Sequence, residues 1–170
     1  MKYRNHMFFS ILCGLLFLTA LASAFPQEEE APGFNFIFDQ KIEMRDGVRL
    51  SAKIWTPASG EPVPAILTIT PYISDEAHDR GRFFTKNGYA YISLDCRGRG
   101  NSEGEFYPLE QDGPDGAVVV EWIASQPWCD GRVGMMGISW GGFNSLQVAA
   151  LRPPGLGAVI TLCSTDDRYA

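Results

Sequence analysis

Gly137-Ile138-Ser139-Trp140-Gly141 is a G-x-S-x-G pentapeptide that follows a short apolar run, 133–136, and opens an amphipathic stretch. At a strand-to-helix junction this pattern sets a serine on a sharp, strained turn with its hydroxyl exposed. Gly137 and Gly141 carry no Cβ, so strand and helix can approach closely on either side of the serine. The first amides of the helix are free of intrahelical partners, and the helix dipole favours negative charge beside them. The chemistry predicted is acyl transfer, with Ser139 as the nucleophile. The competing reading is structural: a serine that caps a helix at a tight glycine turn.

A serine nucleophile needs a base, and the chain has two histidines, His6 and His78. His6 lies in a leader-like segment. His78 precedes the serine, whereas the order in this kind of fold is serine, acid, histidine. His78 reads as a solvated or capping side chain, with no second ligand at metal spacing. Asp166 and Asp167 follow a strand and could hold a histidine, but a helix cap or an ion pair with Arg168 suits them better. Asp95 and Arg97, around Gly98 and Gly100, match no P-loop or dinucleotide fingerprint. They read as an Arg–carboxylate pair that braces the elbow.

The elements that must hold the serine follow from the pattern of apolar residues. Runs 34–44 and 48–56 flank Asp46-Gly47, a strong hairpin signal. Run 65–70 is a continuous stretch of apolar and β-branched residues, as expected of a strand buried on both faces. Ser74-Asp75 offers a cap for a helix reaching Lys86, which Asn87-Gly88 ends. Run 89–94 is the next buried strand. A helix over 112–126 starts with Pro114 in its first turn and buries Val119, Trp122 and Ile123. The elbow helix runs to Leu151, before Pro153-Pro154, and 158–162 is a further strand. Alternating strands and helices after an antiparallel start predict a mostly parallel sheet with helices on both faces. Ligands bind such sheets at the carboxyl ends of the strands, and Tyr72, Arg97, Ser139 and Ser164 fall just beyond those ends.

Residues 1–24 have the parts of a secretory leader: a basic start, an apolar stretch and Ala22-Ser23-Ala24 as cleavage site. Export to the periplasm or medium follows, without stable membrane insertion once the leader is removed. Loss of Lys2 and Arg4 leaves 12 basic against 20 acidic residues, a net charge of about −8. That balance gives no electrostatic case for nucleic acid. Residues 25–35 form an acidic linker ending at Pro32-Gly33. The mature part keeps three cysteines, Cys96, Cys129 and Cys163, an odd number expected to be mainly buried thiols.

The chain also resembles the CocE/NonD-type hydrolases, a group with cocaine esterase, X-Pro dipeptidyl-peptidases and α-amino-acid ester hydrolases. The matching segments are Met44-Arg45-Asp46-Gly47-Val48-Arg49-Leu50, Thr70-Pro71-Tyr72 and Asp95-Cys96-Arg97-Gly98-Arg99-Gly100. Ser102-Glu103-Gly104, Glu121-Trp122-Ile123, Gln126-Pro127-Trp128-Cys129-Asp130-Gly131, the elbow and Thr165-Asp166-Asp167-Arg168-Tyr169 continue it. The resemblance implies an α/β-hydrolase core over 36–170, incomplete at its carboxyl end, with the acid and histidine in segments beyond it. It implies the Trp140 backbone N–H and the Tyr72 hydroxyl as oxyanion donors. The family commonly has tyrosine where this chain has Trp140, which leaves the backbone donor in place. No metal or organic cofactor is implied, and the expected substrate is a small ester, amide or peptide. A secreted, non-catalytic binding module on the same scaffold is the alternative. The 158–162 strand is expected to be an uncovered apolar edge, with poor solubility when this piece is made alone.

Overall fold

The structure is a computed structural model that describes residues 33–72 and 77–167. The leader, most of the linker and the proposed Ser74-Asp75 cap lie outside the described residues, as does Arg168, the expected ion-pair partner of Asp166 and Asp167. Strands β1 (Phe34–Glu43) and β2 (Arg49–Pro57) form the expected hairpin. Its turn closes through Gly47, whose φ of 84° suits glycine and few other residues. Strand β3 (Val63–Thr70) leads towards helix α1 (Ala77–Lys86), and β4 (Ala90–Asp95) leads by a long loop to α2 (Asp112–Ala124). Strand β5 (Cys129–Ile138) then enters the elbow, α3 (Trp140–Leu151) leaves it, and β6 (Leu156–Leu162) follows.

The six strands lie in the order β1-β2-β4-β3-β5-β6. The first two pairings are antiparallel, and β4, β3, β5 and β6 run parallel. Every residue of β4 is buried, Ser93 and Asp95 included, as expected of a strand covered on both faces. Neighbouring residues of β2 divide between two cores, because side chains alternate across a strand. Leu50, Ala52 and Ile54 join Leu67, Ile69 and Leu94 under Val119, Val120 and Ile123 of α2 and Val148 of α3. Trp55 points the other way and packs with Tyr91 and with Ala77 of α1. Helices thus cover both faces, α1 on one and α2 with α3 on the other. Trp122 is half-buried and packs edge-on against Trp128 rather than entering the core fully.

The two helices on the elbow side touch at glycine. A Cβ on Gly116 of α2 would run into Cγ2 of Val148 on α3 and lie 2.9 Å from Cδ1 of Ile69 on β3. Nothing larger than hydrogen fits where helix, helix and strand meet. Strand β6 is a sheet edge, with Ile160 and Leu162 exposed, as the uncovered apolar edge expected of it. Cys96 and Cys129 are buried free thiols, whereas Cys163 is exposed, against the expectation of burial, because it sits past the end of that edge strand.

Gly116→Ala is expected to lower unfolding free energy by about 1–3 kcal/mol, the usual cost of overpacking a filled core. Urea unfolding measures it; an unchanged midpoint would mean that α2 and α3 can part freely.

Candidate active site

Ser139 occupies the single residue between β5 and α3, with φ 53° and ψ −112°. For a non-glycine residue that conformation costs about 1–3 kcal/mol and persists only where surroundings impose it. Backbone contacts on both sides of the serine impose it. A Cβ on Gly137 would fall inside the backbone of Gly141, so the strand meets the helix there with no room for a side chain. The Ser139 N–H donates to the Leu162 carbonyl at 2.8 Å, which ties the turn to the end of β6. Its carbonyl accepts from the amides of Gly142 at 2.9 Å and Phe143 at 3.0 Å. The side chain is exposed and makes no capping hydrogen bond. The serine therefore stands at the N-cap position without its side chain capping the helix.

A third glycine, Gly142, matters as much and was not singled out by the motif. A Cβ there would lie 2.6 Å from Ser164 Oγ and 2.8 Å from Ser164 Cβ. The exit of β6 is thus packed against the start of α3. Asn144 is the other residue the sequence reading missed. It is fully buried and donates from Nδ2 to the Ile69 carbonyl at 3.1 Å, tying α3 to the end of β3. A buried asparagine inside an apolar helix face was the available signal, since such a group needs a partner.

Tyr72 lies two residues beyond β3, exposed, with its N–H on Thr70 Oγ1 at 3.1 Å. Strands β3 and β5 are sheet neighbours, so Tyr72 and Ser139 leave adjacent strand ends in the same direction. The Thr70 carbonyl also takes the Cys96 N–H at 3.0 Å, which fixes that strand end from its other side. Trp140 is half-buried; its indole Nε1 donates to Asp112 Oδ2 at 2.8 Å and its ring lies against Phe106. Asp112 is buried, and burial raises its carboxyl above the usual range, opposed by hydrogen bonds from Trp140 and Cys96. The Cys96 thiol is pushed far up, first by burial and then by the charge of Asp112.

Arg97 does brace this region, but not through Asp95. Its Nε and Nη2 bind both oxygens of Asp115 at 2.9 and 2.8 Å, and Nη1 binds Asp46 at 2.7 Å. One guanidinium fork therefore holds the hairpin turn, the exit of β4 and the first turn of α2. Asp95 instead accepts the Asn101 amide at 3.0 Å beside Gly100, where a Cβ would collide with its carboxylate. Residue spacing pointed to the near carboxylate; the fold brings in two from 51 and 18 positions away.

His78 is exposed near the start of α1, as expected of a solvated side chain, but it has partners. Its Nδ1 accepts the Trp55 indole N–H at 3.4 Å, and its ring lies edge-on to Phe34, Phe36 and Trp55 on the α1 side. Asp167 closes a local turn with Thr165, its N–H reaching Thr165 Oγ1 at 3.2 Å. Among the described residues no three His, Cys, Asp or Glu side chains gather as a metal site, and no helix is long and apolar enough to cross a membrane.

Residues 46–170 match the family described as X-Pro dipeptidyl-peptidase (S15 family). Cocaine esterase of Rhodococcus sp. (strain MB1 Bresler) is 37% identical over 134 residues, 75% of this chain and 23% of that protein. The crystal structure of a CocE/NonD family hydrolase from Staphylococcus aureus superposes with TM-score 0.67 at 25% identity, covering 77% of this chain and 30% of its own. An α-amino acid ester hydrolase shares the fold with TM-score 0.68 at 24% identity, over 79% of this chain and 26% of its own. The chain spans about a quarter of the length of the curated relatives it matches.

Two outcomes follow from the Arg97 fork. Arg97→Met leaves the Asp115 carboxylate buried and unpaired, and is expected to cost about 3–5 kcal/mol of stability in urea unfolding. Arg97 holds the Asp46 carboxyl below its ordinary value of 3.8. The stabilisation it gives is therefore present above that value and fades as pH falls through the lower, folded one. Asp46→Asn keeps the turn bond to the Val48 amide, yet should lower Tm at neutral pH and flatten its fall in acid. A Tm–pH profile identical to that of the parent would remove Asp46 from the fork's energetics.

Proposed function

Because the chain belongs to the X-Pro dipeptidyl-peptidase (S15) family of α/β hydrolases, we propose that it carries the nucleophile half of an exported serine hydrolase. The observation that carries this reading is the positive-φ, uncapped Ser139 at the carboxyl end of β5. A strained backbone that leaves its hydroxyl free of the helix makes sense when that hydroxyl has to meet a substrate. In the proposed reaction Ser139 Oγ attacks the carbonyl carbon of an ester or amide, and a histidine takes its proton. The carbonyl oxygen becomes an oxyanion held by the Trp140 backbone N–H and the Tyr72 hydroxyl. Collapse expels the alcohol or amine, which receives the proton, and water then releases the acid from the acyl-serine. His78 is held by aromatic residues on the α1 side, so the proposal assigns histidine and acid to segments outside the described residues.

Neither a phenol nor a backbone amide brings charge of its own into the site. Both can therefore strengthen their hydrogen bonds as negative charge develops on the substrate, without first being desolvated as ions. The proposed substrates are small esters, amides or peptides; the relatives' names cover ester and dipeptidyl-peptide cleavage alike. Residues 1–24 are proposed as the export leader.

In the natural protein carrying this chain, a fluorophosphonate probe is expected to label Ser139 and to leave Ser139→Ala unmarked. Labelling that persists in the alanine variant would place the nucleophile elsewhere. Tyr72→Phe should lower kcat by ~10²–10³ with KM little changed, the signature of a donor used in the transition state. A loss expressed in KM alone would remove the hydroxyl from the oxyanion site.

A further inference from the structure

Asp112 is a buried carboxylate with no ion pair among the described residues, and this needs an explanation. Arg97, the buried cation nearby in the fold, is taken by Asp46 and Asp115. What Asp112 has instead are two neutral donors, the Trp140 indole and the Cys96 thiol. Burial of a carboxylate without a cation is costly, and an apolar or amide side chain would avoid the cost. The position at the first turn of α2 offsets a part of it through the helix dipole. The specific partner is what remains: the indole of the residue that directly follows Ser139.

We propose that Asp112 is a positioning residue for the oxyanion hole, acting through Trp140. This rests on the reading of Ser139 and the Trp140 amide given above. Ser139 is held in its positive-φ conformation entirely by others, since its own side chain makes no cap contact. Behind it, the turn is fixed by the Gly137–Gly141 approach and the Leu162 carbonyl. Ahead of it, the first side chain able to resist rotation of the Trp140 peptide is that of Trp140 itself. Its indole is clamped at the N–H by Asp112 at 2.8 Å and at the ring by Phe106, with centroids 5.5 Å apart. Phe106 is in turn covered by the Arg99 guanidinium, 4.3 Å above its centroid. A ring gripped at two points fixes its own Cα, and with it the direction of the amide that faces the oxyanion. The carboxylate is the stiff member of the clamp, because it stands on the buried start of α2 beneath the elbow.

The test uses the natural protein with an activated acetyl ester as substrate, and thermal melting to confirm folding. Asp112→Ala is expected to lower kcat by roughly tenfold to a hundredfold with KM nearly constant, the scale of a small misplacement of catalytic groups. Asp112→Asn should recover most of that loss, since an amide oxygen accepts the same indole N–H. Trp140→Phe should match Asp112→Ala, and the double variant should lose no more than either alone. Losses that multiply, an unchanged kcat in Asp112→Ala, or failure of asparagine to rescue would each overturn the proposal. Should Asp112→Ala fail to fold, the asparagine and Trp140→Phe variants, singly and combined, decide it by the same comparison. Absence of probe labelling at Ser139 in the parent protein would instead strike the functional reading itself, and the clamp with it.

Discussion

The constraint from which the site is built is a steric one, the approach of Gly137 to Gly141. Strand β5 and helix α3 can reverse direction across one residue only because neither glycine carries a Cβ. The residue caught between them then has no ordinary backbone conformation available, and Ser139 takes φ 53°. Everything that gives the site its shape serves to hold that turn. The Leu162 carbonyl takes its amide, Gly142 lets the exit of β6 close in, and Asn144 ties α3 to the end of β3. The strain is local, and the restraints come from four different elements.

Electrostatics organises the next shell in two separate nodes. Arg97 is shared between two carboxylates, one exposed on the hairpin turn and one buried in α2, so a single cation joins three segments. Asp112 stands apart from it with neutral donors. The two nodes differ physically: hydrogen bonding from Arg97 lowers the Asp46 carboxyl, whereas burial raises that of Asp112 against the hydrogen bonds of two neutral donors. Both converge on the start of α2, which the Gly116 contact presses against α3 and β3. Helix α2 thereby links the hairpin to the elbow although none of its groups touches the substrate in the proposed chemistry.

Strand and helix positions were largely legible in the sequence because they depend on short-range pattern. The Asp46-Gly47 turn, the buried run of β4 and the proline stop after α3 each arise from local backbone preference or side-chain alternation. The pentapeptide was legible for the same reason, since its glycines and serine act on each other across a few bonds. Partners were not. Arg97 was expected beside Asp95 because they are two residues apart, yet the chain turns at Arg97, leaving Asp95 to the Asn101 amide and Arg97 to Asp46 and Asp115. His78 is the surface residue that was expected, yet nothing local reveals that Trp55 and two phenylalanines lie against its ring. Cys163 was expected to be buried as a cysteine, and its place past an edge strand left it exposed.

By itself the chain specified an α/β architecture, a strand-turn-helix serine and the absence of any histidine placed for it in the ordinary chain order. These depend on composition, periodicity and chain order, which need no coordinates. Tertiary structure decided that the serine does not cap its helix, that Arg97 serves two distant carboxylates, and that the Trp140 indole rests on Asp112. Each of these is a contact between segments far apart in the chain. Loop and helix geometry bring such groups together, and no spacing rule along one dimension encodes the distance between them.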